Sequence, residues 1–133
     1  MKTILLVDDD QPLREVFGSI LRRRGYDVIE ADSGVAGLEL ARKHRPDLIL
    51  SDIDMPGGGG SILLREIRRD PELWSRQFVL MSGRSDLVPS RIRIEEGADD
   101  FLTKPVSLQG LLNCMTVRFS CPSISWRAND QSG

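Results

Sequence analysis

Short apolar runs alternate along the chain with longer segments in which apolar residues recur every three or four positions. Five of the runs have the length and composition of β-strands. They are Thr3–Val7, Asp27–Ala31, Leu48–Ser51, Phe78–Ser82 and Asp100–Thr103. Because strands and helical segments alternate, the pattern predicts a parallel sheet covered by helices on both faces.

The segments that follow the strands carry helical spacing and matching end signals. In the first of these segments, Pro12 suits the first turn, Gly25 suits the C-terminal end, and Asp10 suits the N-cap. The other four helices are predicted over Ser33–His44, Ser61–Arg69, Val88–Glu96 and Ser107–Arg118. The alternation ends there, so we expect one domain over residues 1–118 and a C-terminal tail over residues 119–133.

The composition of the strands predicts their order in the sheet. The first, third and fourth strands are nearly continuous apolar runs, which is typical of strands buried on both faces. The second and fifth mix in charged residues, as edge strands can. We therefore predict a doubly wound, flavodoxin-like α/β fold with a five-stranded parallel sheet in the order 2-1-3-4-5. In such sheets ligands bind at the carboxyl ends of the strands, where the strand order reverses.

Composition excludes several classes of protein. With 18 basic and 20 acidic residues, the chain has a formal charge of −2 and lacks the basic excess of a nucleic-acid-binding surface. Its apolar runs are too short to cross a bilayer, and its N-terminus carries no small-residue cleavage site. The two cysteines do not form a disulfide framework in a chain of this size. We therefore expect a cytoplasmic protein without membrane insertion or direct nucleic-acid binding.

Polar residues with related chemistry follow four of the predicted strands. They are Asp8, Asp9 and Asp10 after the first strand, Asp52 and Asp54 after the third, Ser82 at the end of the fourth and Lys104 after the fifth. Carboxylates that converge repel one another, and Mg²⁺ with its preference for oxygen ligands relieves that repulsion. An ammonium and a hydroxyl beside them can stabilise a phosphoryl group in transfer, with a carboxylate as nucleophile. Each residue alone has an ordinary structural role, but their joint placement at successive strand ends favours a reaction site.

These pieces together resemble the receiver domain of two-component response regulators. The resemblance covers roughly Lys2 to Arg118 and rests on the motifs ILLVDDD, PDLILSDIDMPGGGG, VLMSG and GADDFLTKP. It implies that Asp52 is the phosphoacceptor. It also implies that Asp9 and Asp52 bind Mg²⁺ directly together with the backbone carbonyl of Asp54, while Asp8 assists through water.

The same resemblance assigns roles to the residues after the fourth and fifth strands. Ser82 would be the hydroxyl that moves toward the phosphoryl group, Lys104 would contact its oxygens, and Phe101 would change rotamer. Pro105 would hold the turn after Lys104, with a cis Lys104–Pro105 bond as one possibility. The fourth predicted helix, the fifth strand and the fifth predicted helix would then form the surface that changes on phosphorylation.

The implied function is a signalling switch that accepts its phosphoryl group from a histidine kinase or a phosphotransfer protein. It would act on a downstream effector protein or on a missing output domain, and would catalyse only its own phosphorylation and dephosphorylation. One alternative is an aspartate-nucleophile phosphatase of the haloacid dehalogenase type, because Asp52-Ile53-Asp54 resembles its DxD motif. A second alternative is a receiver-like interaction module that is not phosphorylated.

Three features depart from the family pattern or fall outside it. Gly57–Gly60 predicts a flexible loop, and no Gly-Lys-Ser/Thr follows to make it a phosphate-binding P-loop. Asp54 and Arg84 have opposite charges at positions that flank the route of attacking water, so they could pair and slow hydrolysis of the aspartyl phosphate. Residues 119–133 are open to three interpretations: a disordered tail, a lid, or the stump of a longer regulator.

Overall fold

A computed structural model of the chain describes residues 2–55, 59–83 and 97–120. The strands are β1 (Thr3–Val7), β2 (Asp27–Ala31), β3 (Leu48–Asp52), β4 (Gln77–Ser82) and β5 (Asp100–Thr103). The helices in the described ranges are α1 (Gln11–Arg23), α2 (Gly34–His44), α3 (Gly59–Arg69) and α4 (Leu108–Ser120). The helix predicted over Val88–Glu96 lies outside the described residues.

The five strands form one parallel sheet in the order β2-β1-β3-β4-β5. This confirms the predicted doubly wound α/β fold, with β1, β3 and β4 at the centre and β2 and β5 at the edges. All five residues of β3 are buried, whereas β5 has none that is fully buried. The strand order reverses between β1 and β3, so their carboxyl ends meet at the position where this fold binds ligands.

Two apolar layers hold the sheet between pairs of helices. On one face, Leu5 and Ile49 of the sheet pack with Leu64 and Ile67 of α3 and with residues of α2. On the other face, α1 and α4 pack against alternate residues of the same strands. Because successive side chains of a strand point to opposite faces, the continuous apolar runs supply both layers. The described residues that directly follow β1, β3 and β5 are therefore attached to a packed sheet.

The ends of the first two helices follow from single residues. Asp10 caps α1 by accepting a hydrogen bond from the backbone N–H of Leu13, as the sequence predicts. Gly25 follows the C-cap with a φ of 94°, a left-handed conformation that glycine adopts without strain. Ser33 caps α2 in the same way as Asp10 caps α1. The acidic segment after β1 is thus joined directly to a well-defined helix.

Two boundaries differ from those predicted. Gly59 and Gly60 are buried and form the first turn of α3, so the predicted flexible loop does not extend to them; Gly57 and Gly58 lie outside the described residues. The first turn of α3 lies so close to the end of β3 that residue 60 must be glycine, because a Cβ at Gly60 would lie 2.6 Å from the backbone oxygen of Asp52. At the other end, α4 continues past the predicted boundary to Ser120, and residues 121–133 are not described.

Candidate functional site

Three carboxylates meet at the reversal of strand order. Asp8, Asp9 and Asp52 each offer one carboxylate oxygen, and these oxygens lie within 4.8 Å of one another. Asp8 is fully buried and Asp52 nearly so, whereas Asp9 is exposed. The fold therefore brings together residues 8, 9 and 52, which the sequence places at the ends of two different strands. Asp10 caps α1 instead, as predicted.

Lys104 joins this group from the far edge of the sheet. Its ammonium Nζ lies 3.1 Å from Oδ2 of Asp8 and 3.2 Å from Oδ2 of Asp52. The backbone N–H of Lys104 donates to the backbone oxygen of Ser82, and the Lys104–Pro105 peptide bond is cis. The lysine thus bridges two carboxylates that belong to neighbouring strands.

Backbone N–H groups bind the remaining oxygens of the two buried carboxylates. The N–H of Asp10 donates to Oδ1 of Asp8, and the N–H of Asp54 donates to Oδ1 of Asp52. Each buried carboxylate thus has one oxygen held by a backbone donor and the other by Lys104. A carboxylate oxygen has two lone pairs, so both groups keep capacity for a further ligand.

The pKa values of the central pair reflect this environment. Burial raises the pKa of Asp52, and the charge of Asp8 adds to this, while the N–H of Asp54 and the charge of Lys104 oppose it. For Lys104, burial alone would lower the pKa. The hydrogen bond to Asp8 and the charges of Asp52 and Asp8 outweigh burial and leave the pKa of Lys104 raised. The lysine is therefore held in its charged form.

Ser82 ends β4 beside the carboxylates, but its hydroxyl is directed to Asp54. Ser82 is fully buried, and its Oγ donates a hydrogen bond of 2.8 Å to Oδ2 of Asp54. The carboxylate of Asp54 is not a member of the three-carboxylate group described above. The pairing of Asp54 with Arg84 stays a prediction, because Arg84 lies outside the described residues.

Phe101 lies one strand away from this centre. It belongs to β5, is half-buried, and packs against the apolar layer that contains Leu80. Its backbone is paired with Leu80 across the sheet, two residues before Ser82. Phe101 therefore lies on the strand next to the one that ends in Ser82.

Arg14 is a site residue that the sequence analysis did not identify. Its Nη1 donates a 2.7 Å hydrogen bond to the backbone oxygen of Asp8, and its Nε pairs with Glu30 at 3.2 Å. The guanidinium therefore holds the peptide group that joins Asp8 to Asp9. A basic residue in the second turn of the helix that follows an acidic strand end is the signal that could have indicated it.

Comparison with known proteins gives a match over most of the chain. The family model described as the response regulator receiver domain matches residues 4–116. The chain belongs to this family. The predicted resemblance is thus confirmed, and so is the fold, since receiver domains of known structure share it.

Relatives of this receiver domain occur in proteins of different architecture. The transcriptional regulatory protein AfsQ1 of Streptomyces coelicolor is 40% identical over 106 residues, which are 80% of this chain and 46% of that protein. Histidine kinase P4 of Formosa agariphila is 37% identical over 107 residues, 80% of this chain and 8% of the kinase. A signal receiver domain of a histidine kinase from Syntrophus aciditrophicus superposes with a TM-score of 0.83 at 31% identity, covering 94% and 96% of the two chains. The chain therefore spans less than half of the length of either full-length relative.

The donor set of this receiver domain suits a hard divalent cation. All three side chains of the group offer carboxylate oxygens, the ligands that Mg²⁺ prefers. One of the three is exposed, which leaves room for the waters that Mg²⁺ retains.

Within the described ranges, no helix combines the length and the apolar character that crossing a bilayer requires.

Proposed function

We propose that this receiver domain is a phosphorylation switch in which Asp52 accepts a phosphoryl group from a histidine kinase or a phosphotransfer protein. The observation that carries the proposal is the Lys104 ammonium between Asp8 and Asp52, close to 3 Å from each. It puts a fixed positive charge beside a buried carboxylate that keeps lone pairs free for reaction. A purely structural ion pair would not require the third carboxylate, Asp9, at the same place.

The chemistry follows from these positions. An oxygen of Asp52 forms a bond to phosphorus while the bond from phosphorus to the donor breaks, and the electron pair of that bond leaves with the donor. The donor atom is an imidazole nitrogen in a phosphohistidine, or an oxygen in acetyl phosphate. Lys104 stabilises the negative charge on the phosphoryl oxygens during transfer.

We further propose that Mg²⁺ is held by Asp9 and Asp52 and by the backbone carbonyl of Asp54, with Asp8 acting through water. Bound there, Mg²⁺ would neutralise the clustered carboxylates and stabilise the negative charge of the phosphoryl group. The contacts among the site residues do not depend on the bound ion. The backbone N–H groups of Asp10 and Asp54 orient the buried carboxylates, and Arg14 fixes the peptide after Asp8.

Output follows from movement of the hydroxyl and the aromatic ring. After transfer, Ser82 would donate to a phosphoryl oxygen, and Phe101 would turn toward the space that opens. A surface that includes β5 and α4, together with the helix that the sequence predicts over residues 88–96, would then regulate an effector protein or an output domain. We expect a cytoplasmic protein that turns over no separate substrate. The haloacid dehalogenase alternative gains no support from the family comparison, which matches receiver domains.

The test is phosphorylation by a small donor. We expect the purified chain, incubated with Mg²⁺ and acetyl phosphate, to gain one phosphoryl group by intact mass, and the Asp52→Asn variant to gain none. Asp10→Asn is the matched control, because Asp10 belongs to the same acidic segment but caps α1. An asparagine keeps that cap, so this variant should react like the parent.

Two results would contradict the proposal. Phosphorylation of Asp52→Asn to the same extent as the parent would exclude Asp52 as the acceptor. Measurable Mg²⁺ binding without any phosphoryl gain, either from acetyl phosphate or from phosphorylated histidine donors, would favour the non-phosphorylated interaction module.

A further inference from the structure

The hydroxyl of Ser82 is already engaged before any phosphoryl group arrives. Its Oγ donates to Oδ2 of Asp54 at 2.8 Å, a length typical of a well-formed hydrogen bond between oxygens. A serine hydroxyl carries a single proton, so it cannot donate to two acceptors at once. A bond from Ser82 to a phosphoryl oxygen therefore requires that its bond to Asp54 be broken.

Asp54 is held in place to make this contact. Its backbone N–H donates to Oδ1 of Asp52 at 3.1 Å, which fixes the turn directly after β3. Strands β3 and β4 are paired so that Asp52 lies opposite Met81, the residue before Ser82. The turn thus brings the carboxylate of Asp54 to the buried hydroxyl, while the rest of Asp54 remains exposed.

We propose that the Asp54 carboxylate is a positioning residue that holds the Ser82 hydroxyl in the resting chain and competes with the phosphoryl group for its proton. This inference rests on the proposed function, because it concerns the step in which Ser82 moves to the phosphorylated Asp52. A carboxylate is a strong acceptor, so the two sites compete on similar terms. Asp54 would thereby shift the equilibrium toward the resting state.

The proposal predicts the direction and size of the effect of removing the acceptor. In Asp54→Ala the Ser82 hydroxyl loses this acceptor, so a phosphoryl analogue should bind more tightly. The net contribution of one hydrogen bond corresponds to about a 2- to 10-fold change in affinity. Asp54→Asn keeps an oxygen acceptor but loses the charge, so its affinity should lie between those of Asp54→Ala and the parent.

The Asp54→Ala substitution could also raise the affinity for a phosphoryl analogue through charge alone, because the negative carboxylate of Asp54 repels an anion. A double-mutant cycle separates the two effects, since repulsion acts whether or not Ser82 carries a hydroxyl. We would titrate the full chain with beryllofluoride in the presence of Mg²⁺ and follow the bound fluoride by NMR. The four proteins are the parent, Asp54→Ala, Ser82→Ala and the double variant, each checked for folding by thermal unfolding.

We expect Asp54→Ala to tighten beryllofluoride binding about 2- to 10-fold more in the Ser82 background than in the Ser82→Ala background. An equal change in both backgrounds, or weaker binding by Asp54→Ala, would overturn the inference and leave the proposed function standing. If the parent neither binds beryllofluoride nor gains a phosphoryl group, the proposed function fails and this inference fails with it.

Discussion

Replacing Gly60 by alanine tests how closely α3 approaches the end of β3. In most helices this substitution stabilises the fold by up to about 1 kcal/mol, because glycine loses more backbone freedom on folding. At Gly60 the added Cβ would lie 2.6 Å from the backbone oxygen of Asp52 and 3.1 Å from Cα of Ile53. Both contacts are with backbone, so no flexible side chain can move aside.

The magnitude follows from that geometry. Forcing a methyl group into a packed site typically costs about 1–3 kcal/mol. After allowing for the gain in helix propensity, we expect Gly60→Ala to lower the free energy of unfolding by about 1–2 kcal/mol. For a domain of this size the melting temperature should fall by roughly 3–10 °C. Since the contact is with the carbonyl of Asp52, phosphorylation by acetyl phosphate should slow as well.

Gly34→Ala is the matched control. Gly34 also lies in the first turn of a helix, and its nearest contact would be the backbone oxygen of Gly59 at 3.4 Å, an ordinary packing distance. We expect Gly34→Ala to be as stable as the parent or more stable. The measurements are the free energy of unfolding in urea and the rate of phosphorylation by acetyl phosphate, each for Gly60→Ala and Gly34→Ala. Equal stability and equal rates for the two variants would refute the close approach of α3 to Asp52.

Two further predictions concern Arg14 and Cys114. Arg14→Gln should weaken Mg²⁺ binding by about 3- to 10-fold in calorimetry, because the peptide after Asp8 loses its donor. The control is Arg22→Gln, which loses an ion pair with the same Glu30 but makes no contact with Asp8, and it should change Mg²⁺ binding by less than about 2-fold. Equal weakening of Mg²⁺ binding by the two variants would show that Arg14 does not position the peptide after Asp8. Burial, together with Asp100, raises the pKa of the Cys114 thiol to about 12. In a Cys121→Ser background at pH 8, a thiol reagent should therefore label the native chain at least about 100-fold more slowly than the urea-unfolded chain, and equal rates would contradict this.

The strands and their order in the sheet could be predicted from the sequence because strands buried on both faces are rich in apolar residues. A strand covered on both faces can carry polar residues only at its ends, so β1 is an apolar run that stops at Asp8, and in β3 an apolar run is followed by Ser51 and Asp52. The strand order then determines which ends meet. Convergence of residues from three strands follows from topology alone, and it required no knowledge of side-chain conformation.

The hydrogen-bond partners of the side chains at the site were harder to predict from the sequence. Asp54 bonds to Ser82, and no pattern in the sequence distinguishes that hydroxyl from other polar groups near the strand ends. The contact between Arg14 and the Asp8 carbonyl likewise depends on the rotamer of a long side chain and on Glu30 of β2. The sequence did not predict that Gly60 is helical, because glycine is a poor helix former. Glycine is needed there because the backbone of Asp52 and Ile53 in β3 and the turn after it lies too close for a Cβ.

The charges at the site explain why these details matter for function. Three carboxylates and one ammonium leave two negative charges in excess, and two of the carboxylates are buried. Mutual repulsion in such a place is costly, and a divalent cation offsets the excess completely. A phosphoryl group on Asp52 would replace one negative charge by about two, which makes the site again more negative. The added charge draws donors inward, and Ser82 is a buried donor at the adjacent strand end. The carboxylate of Asp54 is not one of the three clustered carboxylates and already accepts the proton of Ser82, so it would set how much of the added charge is needed to move that hydroxyl.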